Sequence, residues 1–336
     1  MDDLILGVFL ICIAFVDLKF KVVLDSRCYT YDNTRVWKGI LALIVLLHHI
    51  SLRLQSYVFC YFGVIAVDGF LILSGYGMMK QFLETGTEYT KKLIRNKIPN
   101  TLMFMGLTIL ISFCFYGLLG NIPTAIDIIG SLKGNMLLNW YFTTYLLLEL
   151  ILLISISLFS KSRMMVLTYS IILSLIVFLF LFLVGGVKSN SIESLPAFWI
   201  GLIIAYVEQL KEKERLKNFF MVINKIPLSA LTIIAFLLFV GANYLKWNTI
   251  FKIGCVALLA IGISLMIMRI TPISKCAFSE IGKLSGEMLA IQTISPVILE
   301  NIAKDYSFLY IFGTIGIQII LLLILSPIYR KVRITK

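Results

Sequence analysis

The only two histidines of the chain stand side by side within an apolar stretch. His48 and His49 lie in the segment GILALIVLLHHI, residues 39–50. Imidazole has an ordinary pKa close to neutrality, so a histidine can accept a proton and return it during a reaction. Adjacent residues on a helix point about 100° apart, so the two rings cannot both address one substrate atom. We therefore expect one histidine to act as a general base and the other to support it.

Two carboxylates fall near the middle of further apolar runs. Asp68 is central to residues 57–79, and Glu149 is central to residues 136–159. An ionisable group at the centre of a bilayer costs about 2.5–3.5 kcal/mol on insertion scales, so each one needs a reason. For Glu149, a role in helix packing and a role in function are equally good interpretations.

The histidines and the carboxylates are predicted to share one depth. Lys38 marks the cytoplasmic edge of its span, and a rise of about 1.5 Å per residue places His49 roughly 16 Å above it. The hydrocarbon core is about 30 Å thick, so this position is near mid-depth. The grouping predicts a polar chamber inside the membrane, with Asp68 able to orient a histidine. No third histidine exists and no cysteine stands at ligand spacing, so we expect no metal site.

The composition predicts which elements position these groups. Of 336 residues, 60% are hydrophobic and only 14% are charged, and the mean hydropathy is +0.96. This excludes a soluble enzyme and a disordered chain, because too few polar residues exist to cover a soluble surface. Apolar runs of the length that crosses a bilayer number ten: 39–55, 57–79, 101–119, 136–159, 164–186, 195–208, 227–245, 249–268, 286–302 and 307–328.

The predicted fold is therefore all-α, a polytopic transmembrane helix bundle of about ten spans. A shorter apolar run, residues 4–16, either lies at the interface or crosses as an additional, strongly tilted helix. We divide the chain into an N-terminal segment (1–34), a membrane domain (35–330) and a cytoplasmic tail (331–336).

The basic residues predict the orientation. The net charge of +12 does not indicate nucleic acid, because the lysines and arginines form short clusters between apolar runs. With the segment before the first main span in the cytoplasm, 24 of the 30 basic residues fall in cytoplasmic segments. This bias predicts a multi-pass protein of the cell membrane whose membrane domain begins and ends in the cytoplasm.

The loop after the second span is the most basic segment. Lys91, Lys92, Arg95 and Lys97 lie within seven residues, and on an α-helix Lys92 and Arg95 would share a face. Such a cluster at the cytoplasmic mouth suits a phosphate-rich ligand. The alternative is an ordinary positive-inside signal in contact with anionic membrane lipid.

Two stretches of the chain resemble the acyltransferase 3 family of integral membrane acyltransferases. They are RVWKGILALIVLLHHIS (35–51) and VDGFLILSGYG (67–77). The family carries a basic residue, ten intervening positions and a histidine in its first span, which Lys38 and His49 match. Weaker matches are a basic-x-x-Arg motif at Lys92–Arg95, an aromatic element NWYF at 139–142 and the segment LSGEMLAIQ at 284–292. Lysine replaces arginine at positions 38 and 92, and Leu71 replaces an aromatic residue.

The resemblance implies transfer of an acyl group, often acetyl, from a coenzyme A thioester to a hydroxyl, commonly on a cell-surface sugar. Acyl-CoA is then a co-substrate, and no cofactor is permanently bound. His49 would be the general base, supported by His48, and Asp68 would orient His49 or assist from a neighbouring position. The phosphates of coenzyme A would be held by four basic residues: Arg35, Lys38, Lys92 and Arg95.

The acceptor is expected to be a hydroxyl-bearing glycan or a lipid-linked equivalent that approaches from the outer side. Trp140, Tyr141 and Glu149 are the predicted acceptor-binding residues, and an interfacial aromatic belt is the alternative for the two aromatics. The resemblance also implies a bacterial plasma membrane.

Two other functions remain open from the residues alone. Intramembrane His, Asp and Glu are typical parts of a proton relay, so the chain could be a proton-coupled transporter or exporter. Such a protein usually contains paired repeats with broken helices, and no internal repeat is visible in the sequence. A purely structural or sensory membrane protein would bind no coenzyme A and would not need the histidine pair.

Overall fold

The computed structural model describes thirteen stretches of the chain. They are residues 21–22, 31–54, 61–120, 123–124, 126–127, 130, 140–210, 228–245, 249–271, 277–292, 294–295, 298–299 and 307–332. The predicted N-terminal helix at 4–16 and most of the segment 1–34 lie outside them, as do residues 333–336 of the predicted tail.

The described residues are almost entirely helical, as long runs of leucine and isoleucine with few internal prolines favour. The helices are α1 (Tyr31–Arg53), α2 (Phe62–Thr85), α3 (Glu88–Lys92), a π-helical turn (Leu93–Lys97), α4 (Ile98–Leu118), α5 (Trp140–Phe159), α6 (Arg163–Leu183), α7 (Ser189–Glu193), α8 (Leu195–Leu210), α9 (Leu228–Tyr244), α10 (Thr249–Arg269), α11 (Ala277–Lys283), α12 (Ser285–Ile291) and α13 (Ser307–Val332). The strand pairing described is one short antiparallel ladder between β1 (Lys21–Val22) and β2 (Ile270–Thr271).

Seven helical segments within the described residues are long and apolar enough to cross a membrane. The predicted helical membrane protein is thus confirmed, but the count of about ten spans is not. Two of the remaining predicted spans coincide with shorter apolar helices, at Thr232–Tyr244 and Phe251–Ser264. The predicted span 286–302 begins with the short helix α12 and then runs partly outside the described residues.

The sixth predicted span differs from its predicted limits in an informative way. The sequence places it at 195–208, whereas the apolar helical segment runs over Ser189–Leu210. The added first turn, α7, contains Ser191 and Glu193, and both side chains are buried. The polar segment that the sequence assigns to a loop is therefore part of the packed structure.

The chain divides into two compact units. The first comprises residues 1–67, 99–143 and 269–336. Within it, α1 and α11 approach closely, because Gly39 and Gly282 leave no room for a Cβ atom against the backbones of Phe278 and Arg35. Val36 and Phe278 are buried at this contact.

The second unit comprises residues 68–98 and 144–268, and α2 and α8 form a close helix pair within it. Gly201 of α8 lies against the backbone of Ile72 and Tyr76, where a side chain on α8 would collide. Small residues at such crossings let two helix backbones approach, which is the usual way of packing helices in membranes.

Candidate active site

The histidine pair lies in the last third of α1. His48 and His49 are both half-buried, and their ring centroids are 5.2 Å apart at an interplanar angle of 58°. Ser51 Oγ donates a hydrogen bond of 2.7 Å to the carbonyl oxygen of His48. The two rings are therefore neighbours with different orientations, and which of them reacts stays a prediction.

The first turn of α2 packs directly on His48. Gly63 occupies this turn, and a Cβ atom built there would lie 2.5 Å from His48 Cδ2 and 2.8 Å from Nε2. A side chain at this position would force the His48 ring to move, since real Cβ atoms essentially never approach other atoms within 3.0 Å. The position of the His48 ring is thus set by a backbone surface, which is more rigid than a neighbouring side chain.

Asp68 is fully buried in α2, in the second unit. It is the seventh residue of the helix, which runs to Thr85, so it lies nearer the start of the helix than the sequence analysis placed it. Neither carboxylate oxygen has a hydrogen-bond partner of normal geometry among the described residues. The Ser194 hydroxyl and the Glu193 carboxylate are close enough to act on it electrostatically.

A hydrogen bond joins α2 and α8 near their last turns. Gln209 Nε2 donates a hydrogen bond of 3.5 Å to the Leu83 carbonyl, and these residues are 126 positions apart. The cluster of Asp68, Glu193 and Ser194 was not predicted from the sequence, although the shortness of the sixth apolar run was a signal for it.

An ionic network holds the end of the α2–α8 pair that is farther from Asp68. Tyr76 Oη donates to Glu208 Oε2 at 2.5 Å, Lys80 Nζ donates to Tyr76 Oη at 2.7 Å, and Lys80 Nζ lies 3.6 Å from Glu208 Oε2. All three groups have partners within this network, so we assign it to helix packing.

Glu149 lies in the middle of α5, as predicted, and its side chain is buried. Its described electrostatic neighbour is Tyr89 of α3, which is one of the largest fully buried side chains. Lys97 Nζ donates a 2.8 Å hydrogen bond to Tyr89 Oη and lies 4.9 Å from the centre of the Tyr89 ring. Glu149 thus belongs to a buried network that anchors the basic segment.

The basic segment contains a π-helical turn, which corrects one geometric expectation. Lys92 ends α3, and Arg95 lies within the π turn Leu93–Lys97, whose hydrogen bonds run from residue i to i+5. The wider turn removes the α-helical spacing by which Lys92 and Arg95 would share a face. Lys91, Lys92 and Arg95 are exposed and form no ion pair with the described residues, whereas Lys97 is bound to Tyr89.

Arg35 and Lys38 lie in the first two turns of α1 and are half-buried. They share this helix with the histidine pair in the first unit, whereas Lys92, Arg95, Asp68 and Glu149 belong to the second. The expectation that all of them line one chamber stays a prediction.

The aromatic residues predicted to bind the acceptor differ in exposure. Trp140 begins α5 and is half-buried, and Tyr141 is buried, with its ring centroid 5.8 Å from that of Phe142. Phe142 continues the cluster to Phe104 at 5.4 Å. A belt residue faces lipid, so the burial of Tyr141 does not fit the interfacial alternative. Its role in binding an acceptor stays a prediction.

The described residues contain no group of three His, Cys, Asp or Glu side chains arranged to hold a metal ion.

The apolar helices, with ionisable groups buried among them, define an integral membrane protein that has a polar interior. Comparison with known families is specific: residues 33–329 match the family described as an acyltransferase domain. The chain therefore belongs to the acyltransferase 3 family of membrane acyltransferases, as the resemblance of residues 35–51 and 67–77 predicts. No curated protein and no solved structure matches it.

Proposed function

We propose that the protein transfers an acetyl group from acetyl-CoA to a hydroxyl of a cell-surface carbohydrate, with His49 as the general base. The observation that carries this proposal is the histidine pair. Two imidazoles lie side by side in an apolar helix, and His48 packs against the backbone at Gly63. Ionisable groups are costly inside a membrane and usually mark a functional site. Family membership supports acyl transfer in general, and the specific donor, acceptor and base are our proposal.

The proposed chemistry needs one proton acceptor. His49 takes the proton of the acceptor hydroxyl while that oxygen attacks the thioester carbonyl. The tetrahedral intermediate then collapses, the carbon–sulfur bond breaks, and the imidazolium returns the proton to the departing thiolate. The products are an ester and free coenzyme A.

The donor is proposed to bind from the cytoplasmic side. Lys91, Lys92 and Arg95 are exposed and form no ion pair with described residues, so they are available for phosphate groups. Arg35 and Lys38 of α1 are further proposed phosphate ligands. Because lysine lacks the bidentate fork of arginine, we expect the lysines to attract phosphate as point charges and Arg95 to bind it in a fixed orientation.

The test is incubation of membranes that contain the protein with radiolabelled acetyl-CoA. We expect an alkali-labile, labelled glycan or lipid-linked product with the wild type and none with His49→Ala at the same protein level. A wild-type sample that forms no labelled product would overturn acetyl transfer. A proton gradient that drives solute uptake without consumption of acetyl-CoA would favour the transporter instead.

A further inference from the structure

The last turn of α11 carries a lysine that the proposed reaction does not use. Lys283 ends α11, and its side chain is 40% exposed. Glu280, three residues earlier, is 70% exposed and forms an ion pair with Lys283. An exposed ion pair contributes little free energy, so a ligand with more negative charge can displace Glu280 from Lys283.

The backbone contact between α1 and α11 fixes where Lys283 stands relative to Arg35. A Cβ atom on Gly282 would collide with the carbonyl group of Arg35 and would lie 3.1 Å from Arg35 Cγ. The stem of the Arg35 side chain therefore runs beside Gly282, the residue before Lys283. Because adjacent Cα atoms are about 3.8 Å apart, the Lys283 Cα lies within roughly 7 Å of the Arg35 carbonyl oxygen. Two long cationic side chains thus start from neighbouring backbone positions.

Lys38 stands at the same contact, one turn further along α1. It precedes Gly39, where a Cβ atom would collide with the backbone of Phe278 and would lie 3.0 Å from Gly282 N. Phe278 itself is buried between the two helices. The helices are therefore tightly packed here, and the backbone positions of all three cations are set by that packing. All of these residues belong to the first unit.

The charge at this contact favours a phosphate ligand. We call Arg35, Lys38 and Lys283 the α1–α11 basic site. Two exposed carboxylates lie near it in the described structure, Asp32 in the first turn of α1 and Glu280 on Lys283. A phosphate group carries up to two negative charges and three acceptor oxygens, so it can accept hydrogen bonds from several cations at once. The exposed fraction of Lys283 gives such a ligand direct access from water.

We propose that Lys283 joins Arg35 and Lys38 in binding one phosphate group of the acyl-CoA donor, and that Glu280 competes with this phosphate for Lys283. The proposal rests on the proposed acetyl transfer and adds a donor-binding residue to it. The charge pattern predicts that both helix ends lie on the cytoplasmic side, where the donor enters. Without donor, Glu280 neutralises Lys283, and on binding the phosphate replaces the carboxylate.

The test is equilibrium binding of radiolabelled acetyl-CoA to purified protein in an uncharged detergent. Lys283→Gln removes the charge and keeps most of the side-chain length, and it should weaken binding about three- to tenfold. Glu280→Gln removes the competitor, and it should tighten binding about two- to threefold. The two variants break the same ion pair, so a purely structural role of that pair would give no change of opposite sign.

A second probe distinguishes the phosphate groups of the donor. Acetyl-dephospho-CoA lacks the phosphate on the ribose and keeps the diphosphate. If Lys283→Gln weakens binding of acetyl-CoA alone, the site holds the ribose phosphate. If it weakens binding of both donors equally, the site holds the diphosphate. Either result supports the α1–α11 basic site.

A matched control tests whether any lost lysine has the same effect. Lys161→Gln makes the same change at another exposed lysine, in the turn between α5 and α6 of the second unit, and should keep wild-type affinity. Thermal unfolding of each variant in detergent reports any loss of stability.

The outcomes separate this inference from the reaction on which it rests. Unchanged acetyl-CoA affinity in Lys283→Gln, in a protein that still forms labelled product, overturns the added phosphate ligand. Unchanged or weaker binding in Glu280→Gln overturns the competition. An effect of Lys283→Gln that appears only after anionic phospholipid is added assigns the site to a lipid headgroup and overturns the donor. A wild type that binds no acetyl-CoA and forms no labelled product overturns the proposed function itself.

Discussion

The contact between Gly63 and His48 allows the histidine pair to be displaced without removal of a polar group. Gly63→Ala would place a methyl group 2.5–2.8 Å from three atoms of the His48 ring. Ordinary van der Waals contact begins at about 3.4 Å, so the ring must retreat by roughly 1 Å. His49 lies next to this ring, at 5.2 Å between centroids, and is displaced with it.

A displacement of this size is large for catalysis. Misplacement of a reacting group by about 1 Å can cost about 100-fold in rate, which corresponds to roughly 2.7 kcal/mol of activation free energy. We therefore expect Gly63→Ala to lower the rate of acetyl transfer at saturating acetyl-CoA by about 10- to 100-fold. Binding of acetyl-CoA should change little, because the basic residues proposed to hold it lie elsewhere. The assay is transfer of radiolabel in membranes with matched protein levels.

Two further variants make this prediction refutable. Gly77→Ala introduces the same methyl group on the same helix, where nothing lies within 4 Å, and should keep wild-type activity. In a His48→Ala background the ring is absent, so Gly63→Ala should cause no additional loss. Full activity in Gly63→Ala alone, or an equal further loss in the His48→Ala background, would refute the steric reasoning.

Three other predictions concern stability and donor binding. Gly201→Ala would place a Cβ atom 2.8 Å from Tyr76 N. We expect this variant to lower the free energy of unfolding by about 1–3 kcal/mol in a denaturation series. The control Gly241→Ala, which has nothing within 4 Å, should leave the free energy of unfolding unchanged. Tyr89→Phe removes the hydroxyl that accepts the hydrogen bond from Lys97. We expect the KM for acetyl-CoA to rise several-fold while kcat stays nearly constant. An unchanged KM would contradict the view that Tyr89 anchors the basic segment. Arg95→Ala should weaken acetyl-CoA binding by about tenfold and should reduce the salt dependence of that binding. Equal salt dependence in the wild type and in Arg95→Ala would exclude a contact between Arg95 and a phosphate group.

The sequence predicted the class of fold because bilayer thickness sets the length of an apolar helix. It also predicted the central position of Glu149 in its helix. The family was predictable because short motifs at fixed spacing can be recognised without knowledge of how the helices pack. The limits of the sixth span were less predictable, because Ser189–Glu193 reads as a polar segment and yet is helical and buried. Hydropathy cannot show that a polar turn is covered by neighbouring helices.

The contacts within the candidate site could not be predicted for a related reason. The π turn at Leu93–Lys97 changes which basic residues share a face, and no periodicity in the sequence indicates it. Likewise, the fit of Gly63 against His48 depends on how two helices cross, and many glycines in a membrane helix face open space. Glu193 was missed because its proximity to Asp68 arises only from tertiary packing.

The central claim is that His49 moves the proton during acyl transfer and does not merely support the fold. The most direct measurement uses one purified sample each of wild type and His49→Gln, in which acetyl-CoA binding and the release of free coenzyme A thiol are both recorded. We predict that both proteins bind acetyl-CoA equally well and that the rate of thiol release falls at least 1,000-fold in the variant. This loss is expected when the group that accepts the hydroxyl proton and returns it to the thiolate is removed. Thiol release at the wild-type rate in His49→Gln would contradict the mechanism.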